Sequence, residues 1–155
     1  MPDSLYEDDF YAWTQQQADL LRRLPPAGNE LDLENIAEEI ESLGRSDLRT
    51  ARSLVTHIIE HFLELEFSGL HEPASHWRAE IVEWRLQLEQ VLTQSLVSKL
   101  DLPSLYRAAL QLVRRLEDDV PGLTARLPVQ CPYTLDEIVS AAGEEWFPAP
   151  LERGP

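Results

Sequence analysis

The chain has 155 residues, 43% of them hydrophobic and 26% charged, a globular composition that excludes a wholly disordered or collagen-like chain. Aspartate and glutamate number 28 against 13 lysine plus arginine, and the resulting charge of −15 repels phosphate backbones and anionic lipid, so neither nucleic acid nor membrane is an expected partner. The lone Cys131 excludes an intrachain disulfide, and with no apolar run of about 20 residues and no basic-then-apolar leader a cytoplasmic setting is expected.

Six helices are expected. Phe10, Trp13, Gln17, Leu20, Leu21 and Leu24 recur at helical spacing over residues 8–24, until Pro25 and Pro26 remove two backbone donors. Asp32 suits the N-cap of a second helix, with Leu33, Ile36, Ala37, Ile40 and Leu43 on one stripe and Gly44 as a left-handed stop. Ser46 or Asp47 then starts a third helix, which reaches Phe67 and ends at Ser68, Gly69 and Pro73. A fourth, over residues 75–100, carries Trp77, Ile81, Trp84, Leu88 and Val91 on a narrow stripe. Asp101 and Pro103 open a fifth, which turns Tyr106, Ala109, Leu110 and Val113 inward and closes at Pro121 and Gly122. Thr134 and Glu137 have capping-box spacing for a short last helix to Ala142, before Gly143. Strand signals are nearly absent. The expectation is an all-α, single-domain helical bundle of about six helices with short connections: residues 1–7 a lead-in, 8–147 the domain, 148–155 a flexible tail.

Several phrases carry a resemblance. Tyr6-Glu7-Asp8-Asp9-Phe10-Tyr11-Ala12-Trp13, the run from Leu31 through Glu38-Glu39-Ile40-Glu41 to Gly44, His61-Phe62-Leu63, Trp77-Arg78, Arg85, Pro103-Ser104-Leu105 and Cys131-Pro132-Tyr133-Thr134 together resemble the bacterial domain-of-unknown-function family numbered twenty-nine. The resemblance spans nearly the whole chain and implies a compact α-helical domain, with no established activity attached. Its members commonly carry lysine at the position of Glu64, so it assigns no charge of fixed sign there.

His57-Ile58-Ile59-Glu60-His61 spells H-x-x-E-H, the order used by one class of zinc peptidases. Two histidines four apart share a helical face and can both donate a ring nitrogen to zinc, with the glutamate as base. Glu64, seven after His57, falls on the same stripe and could complete a metal site of His57, His61 and Glu64. Against this, five residues fix only three positions, and no sheet is expected to hold a substrate. The plainer expectation makes His61 a boundary histidine hydrogen-bonded to a neighbouring helix, and puts Glu60 and Glu64 on a solvated face.

Glu39 and Glu41 flank the apolar stripe of the second helix, while Glu38 points to water. Arg78 and Arg85 share an edge of the fourth helix, so structural ion pairs between these glutamates and arginines are expected to fix helix register. Trp13, Trp77, Trp84 and Trp146 have the size and spacing of core residues. Cys131 would be a nucleophile only beside a histidine.

No residue is assigned a catalytic or cofactor-binding role from the sequence, apart from that candidate divalent-metal trio. Residues 1–72 carry 16 acidic and 5 basic side chains against 12 and 8 in the remainder, an asymmetry that steers basic partners. The function expected is therefore a non-enzymatic, acidic helical protein acting through protein–protein binding, with an unidentified and basic partner. The alternative is a metal-dependent hydrolase around His57 and His61.

Overall fold

Asp9 ends one helix and begins the next. Its carboxylate accepts the Ala12 amide at 3.0 Å, which satisfies an orphan donor of the new first turn. The single helix expected over residues 8–24 is therefore two, α1 (Pro2–Asp8) and α2 (Phe10–Arg23). The computed structural model describes residues 2–26, 28, 30–140 and 146–151. Among these it is all-α, with eight α-helices, one 3-10 turn and no strand. By contact the chain divides into two units, one of Met1–Ala51 with Val91–Leu100, the other of Arg52–Gln90 with Asp101–Pro155.

The first unit is organised by Gly44. The expected stop there does not occur: α3 runs unbroken from Leu33 to Phe67, and Asp32 caps its start through the Asn35 amide. Gly44 serves close packing instead. A Cβ at this position would overlap Thr14 Oγ1 and stand 2.9 Å from Gln15 Nε2 and 3.2 Å from Tyr11 Cδ2, so only glycine lets α2 come this near. Tyr11, Thr14 and Ala18 are the buried residues of α2, with Ala37, Leu48 and Ala51 buried on α3. The helix expected over residues 75–100 stops at Val91, because Thr93 caps a separate short helix, α5 (Gln94–Val97). Asp9 reaches this second cap too, accepting from Ser95 N at 2.9 Å and Ser95 Oγ at 2.6 Å.

In the second unit the later part of α3 is enclosed. Every residue from Ile58 to Leu65 is buried, which is the pattern of a helix surrounded rather than one packed along a stripe. Gly69, at φ 68°, ends the chain's turn out of α3. The chain continues as α4 (Ala74–Val91), α6 (Leu102–Val113), α7 (Leu123–Arg126) and α8 (Leu135–Val139). Asp101 caps α6 as expected. That helix ends at Val113 rather than at Pro121, and passes through a 3-10 turn (Arg114–Leu116) to Glu117, whose carboxylate collects the amides of Gly122 and Thr124. Thr134 and Glu137 form the expected capping box. The expected ending at Ala142 and Gly143 lies outside the described residues. Of the expected tail, Pro148 is buried and Leu151 donates its amide to Glu66 O at 2.9 Å, so residues 148–151 are anchored, and 152–155 lie outside the described residues.

Candidate functional site

Two features have chemistry to offer, one in each unit. In the first, the stripe that made α2 legible as a helix is not its buried face. Phe10, Trp13, Gln17 and Leu21 are only half-buried, and Leu20 and Leu24 are 49% and 53% exposed. Tyr6 of α1 extends the strip, edge-on to Phe10 and to Trp13 at centroid distances of 5.6 and 4.8 Å. Carboxylates gather nearby on α3. Arg22 contacts Glu41 at 2.7 Å, Glu38 at 3.3 Å and Glu34 at 3.4 Å, and Arg45 adds contacts to Glu38 and Glu41. The Arg22 hydrogen bond draws the Glu41 pKa below the ordinary carboxylate value.

These pairs correct an expectation. Glu41 does form an ion pair, but with Arg22 and Arg45 rather than with Arg78 or Arg85, while Glu39 and Arg78 are exposed. Arg85 is buried and has a different task. It donates to the carbonyls of Ile138, Glu137 and Trp146 at 3.0, 2.9 and 2.8 Å, and its guanidinium lies over the rings of Phe62 and Phe147. Two of those carbonyls belong to the last turn of α8, where a cation is favoured.

The second feature is inside the second unit. Glu60, His61 and Glu64 are 1%, 4% and 0% exposed, and each offers a ligand atom within 4.8 Å of the other two. Glu60 and Glu64 are thus not solvated. The stripe argument failed for them because α3 is enclosed on all sides here. His61 meets the expectation of a histidine bonded to a neighbouring helix, since its Nε2 lies 2.6 Å from Glu80 Oε2 on α4. Its Nδ1 stands 2.6 Å from Glu64 Oε2, without hydrogen-bond geometry. Burial opposes charge on the imidazole, but Glu64, Glu80 and Glu60 outweigh it and hold the His61 pKa above its ordinary value.

His57, expected to be a ligand, is outside this trio. Its side chain is 42% exposed, and its Nδ1 lies 3.0 Å from Glu60 Oε2. Trp84 lies tilted against both histidine rings at centroid distances of 5.3 and 4.8 Å, so it walls this site, while Trp77 is buried and Trp146 is 37% exposed. Arg115 is the member that no spacing announces. It arrives from the 3-10 turn, 51 residues beyond Glu64, and its Nη2 sits 2.9 Å from Glu60 Oε1 and 3.1 Å from Glu64 Oε1.

Cys131 borders a groove of about 490 Å³ together with Tyr106 and Arg107. Its thiol donates to Tyr133 O, and burial raises its pKa, the opposite of what activates a nucleophile.

A family model described as Domain of unknown function DUF29 matches residues 5–146. The chain belongs to this family. The resemblance read from Glu38-Glu39-Ile40-Glu41 and its companion phrases is therefore correct. The chain is also similar to the crystal structure, at 1.45 Å resolution, of an α-helical protein of unknown function from Rhodospirillum rubrum ATCC 11170. The two share 32% identity over 90% of this chain and 92% of that one, with a TM-score of 0.80. No curated protein matches this DUF29 chain. Among the described residues, no helix is long and apolar enough to cross a membrane.

Proposed function

We propose that this protein acts by binding another protein, and that the outer face of α2 is where the partner docks. One observation carries the reading: the strip Tyr6, Phe10, Trp13, Leu20 and Leu24 is the apolar stripe of its segment, yet it is turned away from the buried residues Tyr11, Thr14 and Ala18. A fully covered leucine contributes roughly 1.5–3 kcal/mol relative to an exposed one, so leaving two open forgoes stability that a partner would recover. The spacing of these residues suits an amphipathic helix laid alongside.

Charge selects the kind of helix. A second copy of a chain carrying −15 would bring like charge to like, whereas a basic helix meets an acidic field that speeds its encounter. The occupant proposed is therefore a basic amphipathic helical segment of another protein. A helical peptide with leucine at positions i, i+3, i+4 and i+7 and lysine elsewhere is the probe. Calorimetry should show saturable, salt-weakened binding, and replacing Leu20 and Leu24 together by serine should weaken it at least tenfold without lowering the melting temperature. Equal binding of a matched peptide with glutamate in place of lysine would overturn the reading. So would a concentration-dependent dimer of the chain that the double serine variant dissolves.

A further inference from the structure

We propose that Glu60, His61 and Glu64 form a binding site for one divalent first-row transition cation, with Glu80 as the residue that orients the histidine. The argument begins with the two edges of one imidazole. Glu80 Oε2, 2.6 Å from Nε2, fixes that nitrogen as the donor. The other nitrogen, Nδ1, is thereby turned to the buried carboxylate of Glu64, 2.6 Å from its Oε2. A carboxylate–histidine pair of this kind is the usual second partner of a metal-bound imidazole, since it sets the tautomer and raises the basicity of the coordinating nitrogen.

The coordinating side shows what is missing. His61 Nδ1 and Glu64 Oε2 are both buried, and at 2.6 Å they approach without the geometry of a hydrogen bond. Glu60 Oε1 is buried and likewise makes no hydrogen bond, although Arg115 Nη2 is 2.9 Å away as an ion pair. Buried donors and acceptors are nearly always hydrogen-bonded, yet these three atoms have only ion-pair contacts, and Glu60, His61 and Glu64 each offer a ligand atom within 4.8 Å of the other two.

Charge states the valence. Glu60, Glu64 and Glu80 bring three negative charges against the guanidinium of Arg115, so a divalent cation that displaces the His61 proton cancels the remaining two. One imidazole with two carboxylates suits zinc, cobalt, manganese or ferrous iron better than calcium or magnesium, which take oxygen ligands alone. Three protein ligands leave coordination positions for water.

The test uses the full chain, stripped with chelator and titrated with Co²⁺ and Zn²⁺. One ion per chain is expected, with cobalt ligand-field bands that zinc abolishes. Glu64→Gln, which keeps shape while removing charge, should weaken binding more than tenfold, and Glu80→Gln should weaken it by about 10–100-fold, the usual cost of losing an orienting partner. Glu39→Gln, in the other unit, should leave it unchanged. Because the wild-type titration needs no variant, absence of a saturable one-to-one site overturns the proposal directly. Binding that survives both Glu64→Gln and His61→Ala overturns it as well, because the ion would then be held by other residues.

Discussion

His61 Nδ1 and Glu64 Oε2 stand 2.6 Å apart inside the second unit with no hydrogen bond joining them, while the opposite ring nitrogen holds Glu80 at the same distance. Arg115, paired with Glu60 and Glu64, would share those two carboxylates with a bound cation. Its side chain is 58% exposed, so it reaches in from solvent on a flexible stem and can withdraw. Arg115→Gln should therefore tighten cobalt and zinc binding several-fold and lower the melting temperature of the metal-free chain. Thermal melts with and without metal check both halves. A variant whose metal affinity falls instead would make Arg115 part of the site rather than its competitor.

Gly44→Ala sets two effects against each other. Alanine gains about 1 kcal/mol of helix propensity over glycine. The new methyl would overlap Thr14 Oγ1, and that hydroxyl cannot simply turn aside, because Thr14 is buried and donates to Tyr11 O at 2.7 Å. Overpacking of this kind costs typically about 1–3 kcal/mol. A net loss is expected in urea unfolding, and a stabilised variant would mean that α2 is free to move off α3.

Gly44 also shows what was legible and what was not. Fold class, the caps at Asp32, Asp101 and Thr134, and the family phrases were all readable, since each depends on neighbours a few residues apart. Whether Gly44 ends a helix or admits another one depends on Thr14, thirty residues away, so the same residue supported the wrong ending. Glu60 and Glu64 failed for the related reason that a helical wheel assumes one buried face, and α3 there has none exposed. Arg115 entered through tertiary folding alone. The outer stripe of α2 was seen, but periodicity says only that a helix has an apolar face and not which element covers it.

Asp9 gives a pH dependence. Burial opposes its charge, but hydrogen bonds from Ser95 and Ala12 outweigh that and lower its pKa from the ordinary 3.8. A carboxylate with a depressed folded-state pKa contributes stability that is complete above its unfolded value, near about 3.9, and is lost as pH falls through the folded value. Asp9→Ala should cost about 1–2 kcal/mol at pH 7, the size of a lost N-cap. The gap between variant and wild type should narrow below about pH 4. A gap that stayed constant down to pH 2 would show that the charge plays no part.

The ion pairs of the first unit rank by partner. Glu41→Gln removes contacts to both Arg22 and Arg45, whereas Glu39 is exposed. Urea midpoints should fall more for Glu41→Gln than for Glu39→Gln, with the difference shrinking in high salt as exposed charges are screened. Equal midpoints would remove the pairing from the account of this unit's stability.

The most direct test of the docking face is hydroxyl-radical footprinting of the wild-type chain with and without the lysine–leucine helical peptide. Oxidation reports side-chain accessibility residue by residue, so no variant is required. Protection of Tyr6, Phe10, Trp13, Leu20 and Leu24 on peptide addition, with exposed Leu86 and Val129 of the other unit unchanged, is the predicted result. Peptide binding that protects Leu86 or Val129 and leaves the α2 strip as reactive as before would contradict it.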